Sequence, residues 1–252
     1  MSEGTYLYAV ARDPLPACPP GVAGGAVRTV TRPGLVAYVS TVPLERFGAA
    51  PPRRSLEDLD WLAETARAHR RVVDAVAAAT TAAPIRLVTV YEHDDQVRDL
   101  LDRRGDDFLR MLERVTGRRE WGVKAYAAPA GKPRVAVEAH TGEPATGHHH
   151  RRRAGLYARE HARGQARGQA GRRADDVHRA LSALAAASHR HRAQNLRLSG
   201  RGDWMLLNGA YLVDDARAAE FAALAGTLGG DGVDLRLTGP WAPYSFTVMK
   251  TT

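Results

Sequence analysis

A single cysteine in 252 residues rules out an internal disulfide. Cys18 lies in a proline-rich loop with no thiol partner and no base beside it, so an inert thiol in a reducing cytoplasm is the simplest reading. Nor does any apolar run approach the roughly 20 residues that a membrane-spanning helix needs. No charged-then-apolar leader precedes the first strand, and no membrane contact is expected. The chain also lacks a Gly-x-Ser-x-Gly elbow, a Gly-x-x-x-x-Gly-Lys-(Ser/Thr) phosphate loop and a Cys-x-x-Cys pair. No reaction class is indicated, so neither enzymatic activity nor a cofactor is expected.

Histidine and carboxylate clusters do not replace those motifs. His148-His149-His150 is followed by Arg151-Arg152-Arg153, which repels a cation, and adjacent helical residues point about 100° apart. His189 and His191, two apart, fit neither one helical face nor the i, i+4 pair of a zinc helix. His69 sits among Arg67, Arg70 and Arg71 and reads as a solvated basic side chain. The pairs Asp94/Asp95, Asp175/Asp176 and Asp214/Asp215 stand at expected helix starts, where unpaired N–H groups favour negative charge. Asp106/Asp107 should lie on a wet helical face. No metal is expected.

What is present begins with charge. The formal net charge is +8, and 44% of residues are hydrophobic, an ordinary proportion for a globular core. The whole excess falls between His148 and Arg192, where eleven arginines face only Glu160, Asp175 and Asp176. A local basic arm can attract an acidic surface, but the rest of the chain is balanced and is not a general nucleic-acid binder. Trp121 and Tyr126 with Lys124 imitate an RNA-binding strand, yet Trp121 and Lys124 alternate to opposite faces.

Periodicity divides the chain near residue 118. In 1–118, strands 5–11 and 35–42 flank a Pro/Gly-rich loop. Ser55 and Asp58 form a capping box before a helix bearing Leu59, Leu62, Ala66, Val73, Val76 and Ala77. Pro84 opens a strand at 85–91. Asp94 caps a helix with Val97, Leu100, Leu101, Phe108, Leu112 and Val115 on one face, and Gly117 stops it. In 119–252, strand 121–127 precedes a low-complexity basic insertion over about 129–174, expected to bury little. A helix is secure from about Asp175, with fraying upstream across the glycines. Strands near 195–199 and 205–213, a helix with Phe221, Leu224 and Leu228, and a strand at 233–238 complete it. The class is α+β in two domains, and strand–helix–strand–strand–helix–strand is the order of a ferredoxin-like unit.

The last strand runs into Gly239-Pro240-Trp241-Ala242-Pro243-Tyr244-Ser245-Phe246, three aromatics in a chain that is only 6% aromatic. Prolines should take this segment off the sheet edge as a stiff strap anchored by Trp241, Tyr244 and Phe246. The rings either fill the core or dock a partner.

The octapeptide resembles the C-terminal hallmark of the gas vesicle protein F/L family, Gly-Pro-Trp-Pro-Pro-Tyr-(Ser or Asn)-Phe, with Ala242 where proline is usual. Three more stretches resemble that family in the same order: Thr5–Val10, Ala83–Tyr91 with Val88 in place of the usual glycine, and Glu120–Tyr126. The resemblance implies a gas vesicle accessory or minor structural protein, cytoplasmic and vesicle-associated, without a cofactor. It further implies contact with the major shell protein and other accessory proteins. Trp121, Lys124, Trp241, Tyr244 and Phe246 are the candidate contact residues. A nucleic-acid module using the arginine-rich segment, and an α+β enzyme whose site converges only in three dimensions, remain the alternatives.

Overall fold

The computed structural model describes residues 2–48, 58–127, 148–192, 204–230 and 232–247. Ser55, the loop through Gly131 and Gly142, the strand expected at 195–199 and the side chains of residues 148–153 lie outside the described set. The chain forms two compact units. Unit 1 holds Met1–Glu120 together with Leu212–Asp215 and Gly239–Thr252, and unit 2 holds Trp121–Tyr211 with Ala216–Thr238. The division is therefore not one cut near residue 118, because the C-terminal strap packs with the N-terminal unit.

Unit 1 is built around β1 (Glu3–Ala11), which is buried from Gly4 to Ala11. Its near-continuous apolar run suits a strand covered on both faces. It pairs antiparallel with β3 (Leu35–Pro43), with Tyr6 opposite Ser40. The short strand β2 (Arg28–Arg32) then pairs with β3. On its other side β1 meets β4 (Ala82–Pro84) and β5 (Val90–Tyr91). A one-turn helix α1 (Leu44–Phe47) follows β3. One face of the sheet packs Tyr6, Tyr8 and Tyr38 against α2 (Leu59–Ala79). The other packs Leu7, Val10 and Val39 against α3 (Asp94–Val115). The register shift between Leu7 and Ala9 re-aims the strand, so that Tyr8 and Ala9 both belong to the α2 face.

Several local expectations change. Asp58 itself caps α2, its carboxylate accepting from the N–H groups of Asp60 and Trp61 at 3.1 and 3.0 Å. The buried stripe of α2 is Trp61, Thr65, Ala68, His69, Val72, Val73 and Val76, while Leu59 is 75% exposed. Thr65 and His69 disguise that stripe because both are polar. Asp94 is not the cap of α3: it lies in the first turn, where it accepts from the Thr5 hydroxyl at 2.7 Å and from Arg28 at 2.6 Å. Gly117, at φ +66°, makes the left-handed stop after α3.

Unit 2 comprises most of β6 (Arg118–Ala127), then α4 (His148–Leu184), β7 (Ala187–Arg190), most of β8 (Met205–Asp214), α5 (Ala218–Thr227) and most of β9 (Val233–Trp241). The strand order is β7-β8-β6-β9. Helix α4 runs unbroken through Gly164, Gly168 and Gly171, where fraying was expected. Its later turns bury Ala170, Ala174, Val177 and Leu181, so the 129–174 stretch does reach the core. Asp175 and Asp176 consequently sit inside a helix and pair with Arg190 and Arg179. Asp214 pairs with Arg118 at 2.7 Å instead of capping α5. Strand β9 continues through Pro240 to Trp241. As an edge strand it can carry a proline on its unpaired side without losing a ladder bond.

The expected strand at 85–91 is split, since only Val90–Tyr91 pairs there. Val88 has φ +60°, a conformation that costs a side-chain-bearing residue about 1–2 kcal/mol and a β-branched one the most. This is the position at which the resembled family usually carries glycine. Val88→Gly relieves that strain while losing a half-buried side chain, so the change in unfolding free energy stays within about 1 kcal/mol. Val39→Gly, in a buried strand, costs roughly 3 kcal/mol or more. Urea titration of both variants checks this; an equal, large loss at both positions would show that Val88 carries no backbone strain.

Candidate functional site: the C-terminal strap and the groove beside it

The strap closes on the α2 side of unit 1. Ala242 is buried in the cluster of Tyr6, Tyr8, Trp61 and Val73, and Tyr244 packs against the same cluster. Backbone and side chain of Ser245 both donate to the Glu120 carboxylate, at 2.7 and 2.6 Å. Bonds to a charged, largely buried acceptor contribute more than neutral ones, roughly 1.5–3 kcal/mol each. Thr247 donates to the Pro84 carbonyl at 3.0 Å. The Arg70 guanidinium lies 4.1 Å from the centre of the Trp241 ring, a cation–π contact, while its Nε donates to Asp74 at 3.1 Å.

At the centre of these contacts is His69, which is 3% exposed and not the solvated basic group its arginine neighbours suggested. Its ring lies 5.7 Å from Tyr6 and 6.2 Å from Tyr244. The Tyr6 hydroxyl accepts from the Val88 N–H at 2.9 Å and stands 3.1 Å from His69 Nδ1. We assign the hydroxyl proton to that Nδ1 contact, which leaves the neutral ring protonated on Nε2. Nε2 has no hydrogen-bond partner among the described residues. Burial lowers the His69 pKa to about 4, and an interaction with the Ile85 backbone offsets part of that shift. Burial likewise raises the Tyr6 and Tyr244 phenols, so both stay protonated at neutral pH.

Beside this network lies a groove of about 620 Å³. Ile85, Leu87, Tyr91 and Leu100 supply apolar walls, His69 and Tyr244 line it, and Arg70, Arg86 and Arg104 border it. The volume is that of an ordinary ligand or peptide cleft. Leu87 is 38% exposed, one of three large apolar side chains in the described residues that remain open to water. The turn that breaks the 85–91 strand is what turns Leu87 outward, and no periodicity in the sequence marks it.

The five candidate contact residues divide between the units. Trp241 and Tyr244 are half-buried on unit 1, and Phe246 is buried there. Trp121 and Lys124 belong to unit 2, both half-buried. The Trp121 ring packs 5.9 Å from Phe221, which in turn lies 5.5 Å from Tyr211. His189 and His191, at the end of β7, do share a face, with ring centres 4.6 Å apart. Strand alternation brings residues two apart together, which the helical test above could not detect. Among the described residues no group of three His, Cys, Asp or Glu converges as a metal site, and no helix is long and apolar enough to cross a membrane.

Fold and groove together define a two-unit α+β protein whose C-terminal strap completes its N-terminal unit. The chain belongs to the gas vesicle L/F family: the family described as Gas vesicle synthesis protein GvpL/GvpF matches residues 4–248. It is 44% identical over 246 residues to gas vesicle protein L of Streptomyces sp. (strain CB03234), covering 96% of this chain and 91% of that one. Gas vesicle protein F of the same strain is 27% identical over 259 residues, covering 96% and 98%. Among solved structures it resembles the gas vesicle protein GvpF of Anabaena sp. PCC7120, with TM-score 0.67, 19% identity and coverage of 99% and 98%. GvpF of Microcystis aeruginosa gives TM-score 0.64, also at 19% identity, with coverage of 98% and 99%. Membership implies a role in gas vesicle formation.

The low His69 pKa sets a pH dependence. The unfolded imidazole takes up a proton near pH 6.5, whereas the folded one resists until about pH 4. Stability from the neutral ring is therefore intact above pH 6.5 and falls as pH drops toward 4, by up to about 3 kcal/mol. His69→Leu lowers stability at neutral pH but removes this component, so its unfolding free energy declines less between pH 7 and 4.5. Parallel urea titrations across that range check it; identical pH slopes would place the His69 ring in water.

Proposed function

We propose that this protein is an accessory or minor structural protein of the gas vesicle that binds the major shell protein and holds its apolar surface before assembly. The reading rests on family membership and, within the structure, on one observation: an apolar groove left open beside the strap of unit 1. An assembling shell protein must present apolar surface, and an aromatic-lined cleft bordered by cations is suited to cover it. In this reading Tyr244 and the exposed edge of Trp241 form the contact, while Phe246, being buried, supports the strap from behind. Trp121 and Lys124 serve as a second contact on unit 2. Other gas vesicle accessory proteins are further partners, no nucleic acid or cofactor takes part, and the protein works in the cytoplasm and at the vesicle.

The same reading takes unit 2 as a ferredoxin-like module, on the strength of its β6-α4-β7-β8-α5-β9 order and its β7-β8-β6-β9 sheet. The higher identity to the L relative than to the F relative favours an L-type member.

Affinity capture tests the partner. The tagged full-length chain, co-produced with the major shell protein of the same organism, is expected to retain it well above a tag-only control, and to do so after nuclease treatment. Absence of the shell protein from the eluate, or its loss on nuclease treatment, would contradict the proposal.

A further inference from the structure

The groove of unit 1 is apolar on its walls and cationic at its border. Ile85, Leu87, Tyr91 and Leu100 carry no charge, while Arg70, Arg86 and Arg104 all line the same space. Two of these arginines are engaged: Arg70 pairs with Asp74 and Arg104 with Asp107. Arg86 is exposed and has no ion-pair partner among the described residues. Nε2 of the buried His69, which lines the groove, has no well-formed hydrogen bond among the described residues, only the Ile85 backbone nearby. With Nδ1 engaged by Tyr6, the free position on that ring is a donor. The Ile85 backbone nearby satisfies that donor only weakly, and an acceptor carried by a ligand can replace it.

We infer that the groove binds a partner segment in which apolar residues alternate with acidic ones, its apolar side chains between Ile85, Leu87 and Leu100 and a carboxylate against Arg86. Charge complementarity selects this occupant. A neutral apolar segment leaves the Arg86 guanidinium without a counterion, and a basic one is repelled by it. The His69 Nε2 donor adds a place for a backbone carbonyl or a carboxylate oxygen of the bound segment. For its biological partner the inference rests on the shell-contact reading; for its chemistry it does not.

The test uses the full chain and two capped, fluorescently labelled octapeptides, one alternating leucine with glutamate and the other leucine with lysine. The acidic peptide is expected to bind at least about ten-fold more tightly than the basic one, with affinity falling as salt rises. Arg86→Glu and, separately, Leu87→Asp should each weaken the acidic peptide about ten-fold or more while thermal unfolding is unchanged. Arg86→Lys should retain most of the binding. Equal binding of the two peptides, no binding of either, or indifference to both substitutions overturns the inference. Capture of the shell protein separates the two readings. If Arg86→Glu captures it as well as the unaltered chain does, the groove assignment fails and shell binding stands. If the acidic peptide behaves as expected but the shell protein is never captured, the groove stands and the shell reading fails.

Discussion

The buried contact of Tyr6, His69 and Tyr244 is the point on which unit 1 depends. Tyr6 comes from the first strand, His69 from α2 and Tyr244 from the last described turn, so their meeting joins distant parts of the sequence in unit 1. An imidazole can occupy that position only if it stays neutral and has a partner for one nitrogen. The Tyr6 hydroxyl supplies the partner, and the surrounding rings remove the water that would otherwise solvate the charged form. The same hydroxyl holds the Val88 N–H and so fixes the turn that carries Leu87 into the groove.

Seen from this contact, residues from all four stretches that resemble the family meet in unit 1. The first contributes Tyr6 and Tyr8. The second contributes the Val88 amide, which donates to the Tyr6 hydroxyl, and the Pro84 carbonyl; the third contributes the Glu120 carboxylate, which accepts from Ser245 of the fourth, and Thr247, just past the fourth, donates to Pro84. The Gly-Pro-Trp strap is thus primarily a closing element of the N-terminal unit, and its exposed edge borders the groove as a consequence.

Much of this was legible in the sequence where local pattern and burial agree. Strand β1, helix α3 with its Val97–Leu101–Phe108–Leu112 face, and β8 all follow apolar periodicity. Legibility failed where a tertiary partner overrides local chemistry. His69 carries arginine neighbours in sequence, yet its buried partner Tyr6 lies 63 positions away. Val88 breaks a β-rich run through a backbone angle that its residue type disfavours, and only the resemblance, with its usual glycine, hinted at the turn. The glycines of α4 argued for fraying, while burial of Ala174, Val177 and Leu181 holds the later turns in place. The groove was invisible because its lining comes from five separate segments.

Hydrogen exchange in a chain ending at Thr238 tests the central claim, that the strap is part of the N-terminal unit's core. Local stability is read from the slowest amides, and β1 lies at the centre of its sheet. The account predicts that removing residues 239–252 collapses protection of Tyr6–Ala11 while Val123, Leu207 and the buried turn around Phe221 in unit 2 keep theirs. Retained protection in β1 with loss confined to unit 2 would contradict it.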